Sequence, residues 1–475
     1  MCSDMKQDKR VQKTDFIDEH RINDMLLQAK KASGREAAKI IEKAGDAKGL
    51  TPYETAVLLQ VDNRDVLQRM FQAAHAVKEK IYGKRLVFFA PLYISNYCIN
   101  NCYYCGYRRD NRISRRRLSA GEIEQEVLVL ESMGHKRLAL EAGEDPARCP
   151  IDYVLDAIRC IYKVKDKTGS IRRVNVNIAA TTVDHYRKLK EAGIGTYILF
   201  QETYHRDTYA AMHPAGPKRD YDWHITAMDR AMEGGIDDVG LGVLFGLYDY
   251  KFEVLALLFH SLHLEERFGV GCHTISVPRM RPAEGISLEN FPYLVNDKDF
   301  KKVIAAIRLA VPYTGMILST REKAEYRDEV ISLGISQLSA GSCTGVGGYH
   351  RDIEDKSAET QGQFKIEDNR TTDEVLRSIC ESGYLPSFCT ACYRKGRTGD
   401  RFMPLAKSGE IQNLCQPNAI LTFKEFLLDY ASERTKKIGQ KTIREHLRSI
   451  PNEKVRRATE ERLKQLEQGE RDLYF

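Results

Sequence analysis

Long apolar runs are missing from this chain. None approaches the ~18 consecutive apolar residues that a membrane-spanning helix requires, so no membrane partner is expected. The first ten residues, MCSDMKQDKR, hold no apolar signal core, which leaves the cytoplasm as the expected location. A marked excess of either charge is missing too. Lys and Arg number 73 against 67 Asp and Glu, a net +6 over 475 residues, and no basic stripe with interleaved aromatics stands out, so nucleic acid is not an expected partner. The hydrophobic fraction of 42% is enough for a full core, and the length suggests one large domain with additions. Twelve cysteines without a secretory signal point to a reducing compartment and metal chemistry rather than to disulfides.

Three of these cysteines stand in Cys98-Ile-Asn-Asn-Cys102-Tyr-Tyr-Cys105, a CxxxCxxC pattern with Tyr104 just before the last thiol. Three thiolates this close can hold three corners of a cubane iron–sulfur cluster, which leaves the fourth iron open to another ligand. A zinc site favours two CxxC-like pairs or histidines, and no second pair lies near Cys98. Inert buried cysteines are the bland alternative, against which spacing and aromatic neighbour agree.

Residues 1–84 read as a helical extension. Thr51-Pro52-Tyr53-Glu54 has the form of a helix start with a capping box, and Gly83 closes a helix through Val66–Ile81. From 85 to 352 strand and helix patterns alternate. Eight strand candidates are Arg85–Ile94, Arg137–Glu141, Arg173–Ala179, Thr196–Gln201, Asp238–Leu244, His273–Pro278, Gly315–Ser319 and Ser336–Ala340. Eight βα units in about 260 residues match a (β/α)8 TIM-type barrel, with half-barrels or an open sheet as runner-up. Polar residues within the strands (Asn175, Asn177, Gln201, Ser276) point to a lumen that holds substrate rather than one filled with branched apolar layers. Residues 353–370 read as a linker, and 371–475 as a helical, charged region; together, 353–475 form the expected C-terminal domain.

That C-terminal region carries Cys389-Thr-Ala-Cys392 and, 22 residues on, Cys415. The spacing fits a second cubane with three protein ligands, or a zinc ribbon lacking one ligand.

The CxxxCxxC stretch resembles that of the radical S-adenosylmethionine (SAM) enzymes, in which SAM chelates the open iron and is cleaved to a 5′-deoxyadenosyl radical. With the second cysteine set, the chain resembles the tyrosine lyases that mature [FeFe]-hydrogenase. The likeness covers nearly the whole chain and is carried further by Glu141-Ala-Gly-Glu144, Phe200-Gln-Glu-Thr-Tyr204, Leu318-Ser-Thr-Arg-Glu322 and Ala340-Gly-Ser342. A related tyrosine lyase of thiamine biosynthesis, the 2-iminoacetate synthase, shares the barrel motifs but lacks the C-terminal cysteines. It is the same-chemistry alternative, and a non-catalytic cluster scaffold is the alternative of another class.

The resemblance implies two stages. L-Tyrosine is cleaved at Cα–Cβ to p-cresol and dehydroglycine, and the latter becomes carbon monoxide and cyanide ligands for the hydrogenase iron. It implies a SAM-binding [4Fe-4S] cluster on Cys98, Cys102 and Cys105, and an auxiliary [4Fe-4S] cluster on Cys389, Cys392 and Cys415 with an extra iron bridged by a free cysteine. It also implies a low-potential electron donor such as ferredoxin or flavodoxin, and the other hydrogenase maturases as partners. Tyr104, Glu144 and Glu202 are expected at the SAM site, with Ala142 where the family usually has glycine. Glu202 has an ion pair with Arg206 as its bland reading. Arg321 presents the planar fork that suits the tyrosine carboxylate, with Ser342 beside it. His273, at the start of the sixth strand, is expected to ligate the extra iron from the opposite mouth, roughly 20–25 Å from the first cluster at about 3.3 Å per strand residue. Cys2, Cys149, Cys160, Cys272, Cys343 and Cys380 match no motif and read as packing residues.

Overall fold

A computed structural model describes residues 14–167, 169–354, 361–399, 401 and 411–475. Four helices lead the chain: α1 (Glu19–Ala29), α2 (Gly34–Ala44), α3 (Pro52–Leu59) and α4 (Arg64–Tyr82). The Thr51 capping box forms as the sequence predicts, and Gly83 ends α4 in a positive-φ conformation (φ 61°) that a side chain rarely adopts.

Eight parallel strands then alternate with helices: β1 (Arg85–Ser95), β2 (Arg137–Ala142), β3 (Arg173–Asn177), β4 (Tyr197–Glu202), β5 (Val239–Val243), β6 (Thr274–Ser276), β7 (Gly315–Leu318) and β8 (Gln337–Ser339). Each pairs with the next, and β1 pairs with both β8 and β2, so the sheet closes. This is the (β/α)8 barrel expected from the strand count. Its outer faces are apolar: Val174, Val176, Val239 and Leu241 are buried against the helices.

One element escaped the sequence reading. β1 extends below β2, and the edge left free over Arg85–Val87 is taken by a ninth strand, β9 (Leu385–Ser387). Three residues around a proline carry little strand signal, and proline is tolerated here because β9 lies at a sheet edge. β9 brings the Cys389 loop to the N-terminal mouth of the barrel.

The linker reading of 353–370 needs correction over its described part; residues 355–360 lie outside the described residues. Residues 361–370 are bonded across the C-terminal mouth. The Gly106 amide donates to the Gln363 carbonyl (3.0 Å), that of Gln363 to Thr344 (3.1 Å) and that of Glu367 to Thr320 (3.0 Å). Arg327 and Arg370 pair with the buried Asp368 carboxylate. Beyond β9 the chain is helical through Ile411–Asp429, Glu433–Arg448 and Glu453–Glu467.

Candidate functional site

Three cavities follow one another along the barrel. The first, of about 120 Å3, opens at the C-terminal mouth, where β1 delivers the cysteine loop. Cys98, Cys102, Tyr104 and Cys105 line it, with Glu144, Glu202 and Lys218 opposite. Arg115 fixes the loop by donating to the carbonyls of Asn96 (2.7 Å), Tyr107 (2.8 Å) and Arg108 (2.6 Å). Burial pushes all three thiols up, Cys105 to about 11, so the bare loop holds thiols and a bound metal is what draws their protons off. Among the described residues no three His, Cys, Asp or Glu side chains converge as they would on a single ion. Thiols spaced around a cavity instead fit a cluster of several atoms.

The Glu144 carboxylate accepts from Asn100 Nδ2 at 2.6 Å. Glu202 is paired with Lys218 (Nζ to Oε1, 2.8 Å); Arg206, the partner in its bland reading, reaches Asp222 instead at 3.1 Å. Glu202 also sits at φ 69°, a strained conformation for a residue with a side chain, held by the register shift between β4 and β5. The Tyr104 hydroxyl lies 2.7 Å from His213 Nε2, so this tyrosine props the cysteine loop from behind.

The second cavity, of about 90 Å3, lies in the lumen. Phe89, Ile198, Phe200 and Ile317 form apolar walls; Glu141, Asn177, Arg321 and Ser342 add polar groups. The Arg321 guanidinium lies 3.4 Å from the Phe364 ring centre, and burial lowers its pKa to about 10. It donates no hydrogen bond to the described residues. Ser342 Oγ is buried and likewise has no partner among them. An unsatisfied hydroxyl costs about 1–3 kcal/mol, which a polar ligand in the cavity recovers. Of the polar strand residues expected in the lumen, Asn177 and Ser276 line this cavity. Asn175 does not: its Oδ1 accepts from Arg173 Nε (2.9 Å) and the Thr196 amide (3.1 Å), a structural role. Gln201 does not line it either; Ile198 and Phe200 take the inward positions of β4.

The third cavity, of about 110 Å3, opens at the N-terminal mouth. Cys389, Cys392 and Cys415 line it together with His273, Tyr393 and the arginines Arg85, Arg137 and Arg397. His273 Nε2 is 2.9 Å from the Tyr393 hydroxyl, and burial lowers the histidine's pKa. Burial also raises Cys392 to about 11 and lowers Arg85 to about 10. His273 and the second cysteine set thus share a cavity at the mouth opposite Cys98, Cys102 and Cys105. Val87 and Gln337 border the third cavity, and Phe89 and Ser339, two residues further along the same strands, border the second.

Several lining groups carried no usable sequence signal. Lys218 and Asn100 stand far apart in the chain; Gln363 and Phe364 fall in a stretch that reads as linker; Glu141 stands in the quoted Glu-Ala-Gly-Glu run, where only its last acid drew attention.

Comparison with known proteins bears on the whole chain. Residues 92–259 match the radical SAM superfamily, and residues 276–385 match the biotin and thiamin synthesis associated domain. The 2-iminoacetate synthase of Escherichia coli strain K12 is 33% identical over 358 residues, 74% of this chain and 90% of that one. A crystal structure of HydG, a maturase of the [FeFe]-hydrogenase, superposes with a TM-score of 0.94 at 65% identity, covering 97% of this chain and all of that one. HydG from Carboxydothermus hydrogenoformans superposes with a TM-score of 0.82 at 40% identity, covering 93% of this chain and 97% of its own.

Proposed function

The chain belongs to the radical SAM superfamily, in its HydG-type branch, and on that premise we propose that it is a tyrosine lyase of [FeFe]-hydrogenase maturation. It cleaves L-tyrosine at Cα–Cβ to p-cresol and dehydroglycine, and converts the latter to carbon monoxide and cyanide ligands for the hydrogenase iron. The observation that carries this reading is the pair of cysteine sets at opposite mouths, with a lumen cavity between them that is lined by Glu141, Arg321 and Ser342.

Cys98, Cys102 and Cys105 would hold the SAM-binding [4Fe-4S] cluster; Cys389, Cys392 and Cys415 would hold the auxiliary one, with His273 on its extra iron. When bound, these groups and SAM supply the one-electron chemistry: a 5′-deoxyadenosyl radical that takes a hydrogen from the substrate, and an iron that receives the two diatomic ligands. The chain's own side chains bind and orient. Glu144 and Glu202 face the SAM cavity as acceptors for its ammonium and ribose hydroxyls, and Tyr104 braces the loop. Arg321 takes the tyrosine carboxylate as a bidentate partner in a site shielded from water, and Ser342 offers its free hydroxyl. The cationic lining of the N-terminal cavity, Arg85, Arg137 and Arg397, favours anionic guests such as dehydroglycine and cyanide.

A low-potential ferredoxin or flavodoxin is the proposed electron donor, the other hydrogenase maturases the proposed partners, and the cytoplasm the proposed location. None of the described helices is long and apolar enough to cross a membrane. The C-terminal cysteine set favours this reading over a 2-iminoacetate synthase of thiamine biosynthesis. Incubating the reconstituted, reduced protein with SAM and tyrosine tests it. p-Cresol together with carbon monoxide is expected; p-cresol with no carbon monoxide would leave only the first stage, and SAM uncleaved in the presence of tyrosine would leave a scaffold.

A further inference from the structure

The lumen cavity has an unusual charge inventory. Among the described residues lining it, one is a cation, Arg321, and one is an acid, Glu141; the rest are apolar or neutral. Glu141 ends the inward row of β2, and Arg321 follows β7. No ion pair joins them among the described residues, so neither neutralises the other directly. Asn177 lines the same cavity, and the Glu141 carboxyl is desolvated severely enough that burial raises its pKa well above the ordinary range. The residue keeps some accessible surface all the same, and that surface belongs to the cavity: Glu141, Asn177, Phe200 and Arg321 border both the SAM cavity and the lumen cavity.

Burial of an acid apart from a cation disfavours the charged form of each, since neither has a partner at contact distance among the described residues. The cost is recovered by a ligand that carries one charge of each sign at the same spacing. An α-amino acid zwitterion is such a ligand, and a cavity with a single cation and a single acid can seat its head group in one orientation only.

We propose that Glu141 is a specificity residue that receives the α-ammonium group of the substrate, as the counterpart of Arg321 at the carboxylate. This rests on the tyrosine-lyase reading and deepens it. Arrival of the ammonium favours the carboxylate form of Glu141. The pairing also turns the amino nitrogen toward the wall shared with the SAM cavity, and it excludes amino-acid analogues that lack the amine. The carboxylate–ammonium bond is charge-assisted and shielded from water, so losing it should cost about 10- to 100-fold in affinity.

The test is equilibrium binding to the reconstituted holoenzyme without reductant, comparing L-tyrosine with 3-(4-hydroxyphenyl)propanoate, which lacks only the amine. The unsubstituted protein should prefer tyrosine by about 10- to 100-fold, and Glu141→Gln should lower that preference to a few-fold by weakening tyrosine while leaving the deamino acid's affinity unchanged. Retained affinity for the deamino acid also shows that the variant cavity is folded. Undiminished preference in Glu141→Gln would overturn the assignment. Equal loss of both ligands would overturn it as well, since the carboxyl would then be structural. If the unsubstituted protein bound no tyrosine, the substrate reading itself would fall, and the pairing with it.

Discussion

At the scale of single residues, the buried charges decide most. Among the described residues Arg321 has no carboxylate at contact distance, and its guanidinium lies over the Phe364 ring, which fixes the plane of the fork. Arg321→Ala should raise the tyrosine KM by about 10-fold or more while SAM still binds, because a charge-assisted bidentate contact and the orientation it imposes are both lost. An unchanged KM would remove the arginine from the substrate site. Lys218 and Glu202 make a different case. Their pairing is largely buried, and the Glu202 carboxylate holds the lysine's pKa above its usual value, against burial. Lys218→Met should cost about 3 kcal/mol of stability, read as a lower denaturation midpoint, because it leaves the Glu202 carboxylate buried without its cation. It should also weaken SAM binding. Glu253 gives a pH signature. It accepts from the Thr203 hydroxyl and, at 2.9 Å, from the Tyr204 amide, yet burial raises its pKa from 4.5 to about 8. A raised carboxyl pKa means that the folded state binds the proton more tightly than the unfolded one. The corresponding stability is present below about pH 4.5 and is lost as the pH climbs toward 8. Denaturation midpoints of Glu253→Gln should therefore gain on those of the unsubstituted protein between pH 5 and about pH 8, and parallel curves would refute the assignment.

At the scale of elements, the site depends on segments that close over the barrel from outside it. Gly106, directly after the cysteine loop, packs so closely on the 361–364 segment that an added Cβ would stand 2.6 Å from the Gly362 carbonyl oxygen and 2.8 Å from that of Gln363. Both obstacles are backbone, so Gly106→Ala must lift the segment. Because Gln363 and Phe364 line the lumen cavity, the tyrosine KM should rise several-fold with the barrel still folded. Circular dichroism and the KM together check this, and an unaltered KM would show that the segment does not shape the site. The same two segments mark where the sequence became hard to read. The eight barrel strands were legible because each carries a strand-length apolar pattern between helical ones. β9 was not: its three residues include Pro386, and its place depends on how far β1 extends past β2, a tertiary fact. Residues 361–370 read as linker from composition, whereas their backbone is bonded to Gly106, Thr344 and Thr320, partners 19 to 257 residues away. Among site residues the cysteines were legible from spacing, and the placement of His273 from its position before β6. Lys218 and Glu141 became visible only once the fold had brought them to the cavities.

At the scale of the whole molecule, one barrel separates two chemistries. β1 runs over 11 residues from Arg85, at the third cavity, to Ser95, three residues before Cys98. With the tilt of barrel strands this places the two cysteine sets about 25 Å apart along the axis, with the lumen cavity between them. On the proposed reading, dehydroglycine made near Arg321 would move toward the arginine-lined mouth without crossing bulk water. On the proposed reading the first stage needs nothing from the second cysteine set, whereas the second stage needs both. The most direct test replaces Cys389, Cys392 and Cys415 together by alanine and measures p-cresol and carbonic oxide (carbon monoxide) from the same reduced sample with SAM and tyrosine. The account predicts p-cresol at near its normal yield and carbon monoxide close to zero; loss of p-cresol with the cluster at Cys98, Cys102 and Cys105 still intact would contradict it.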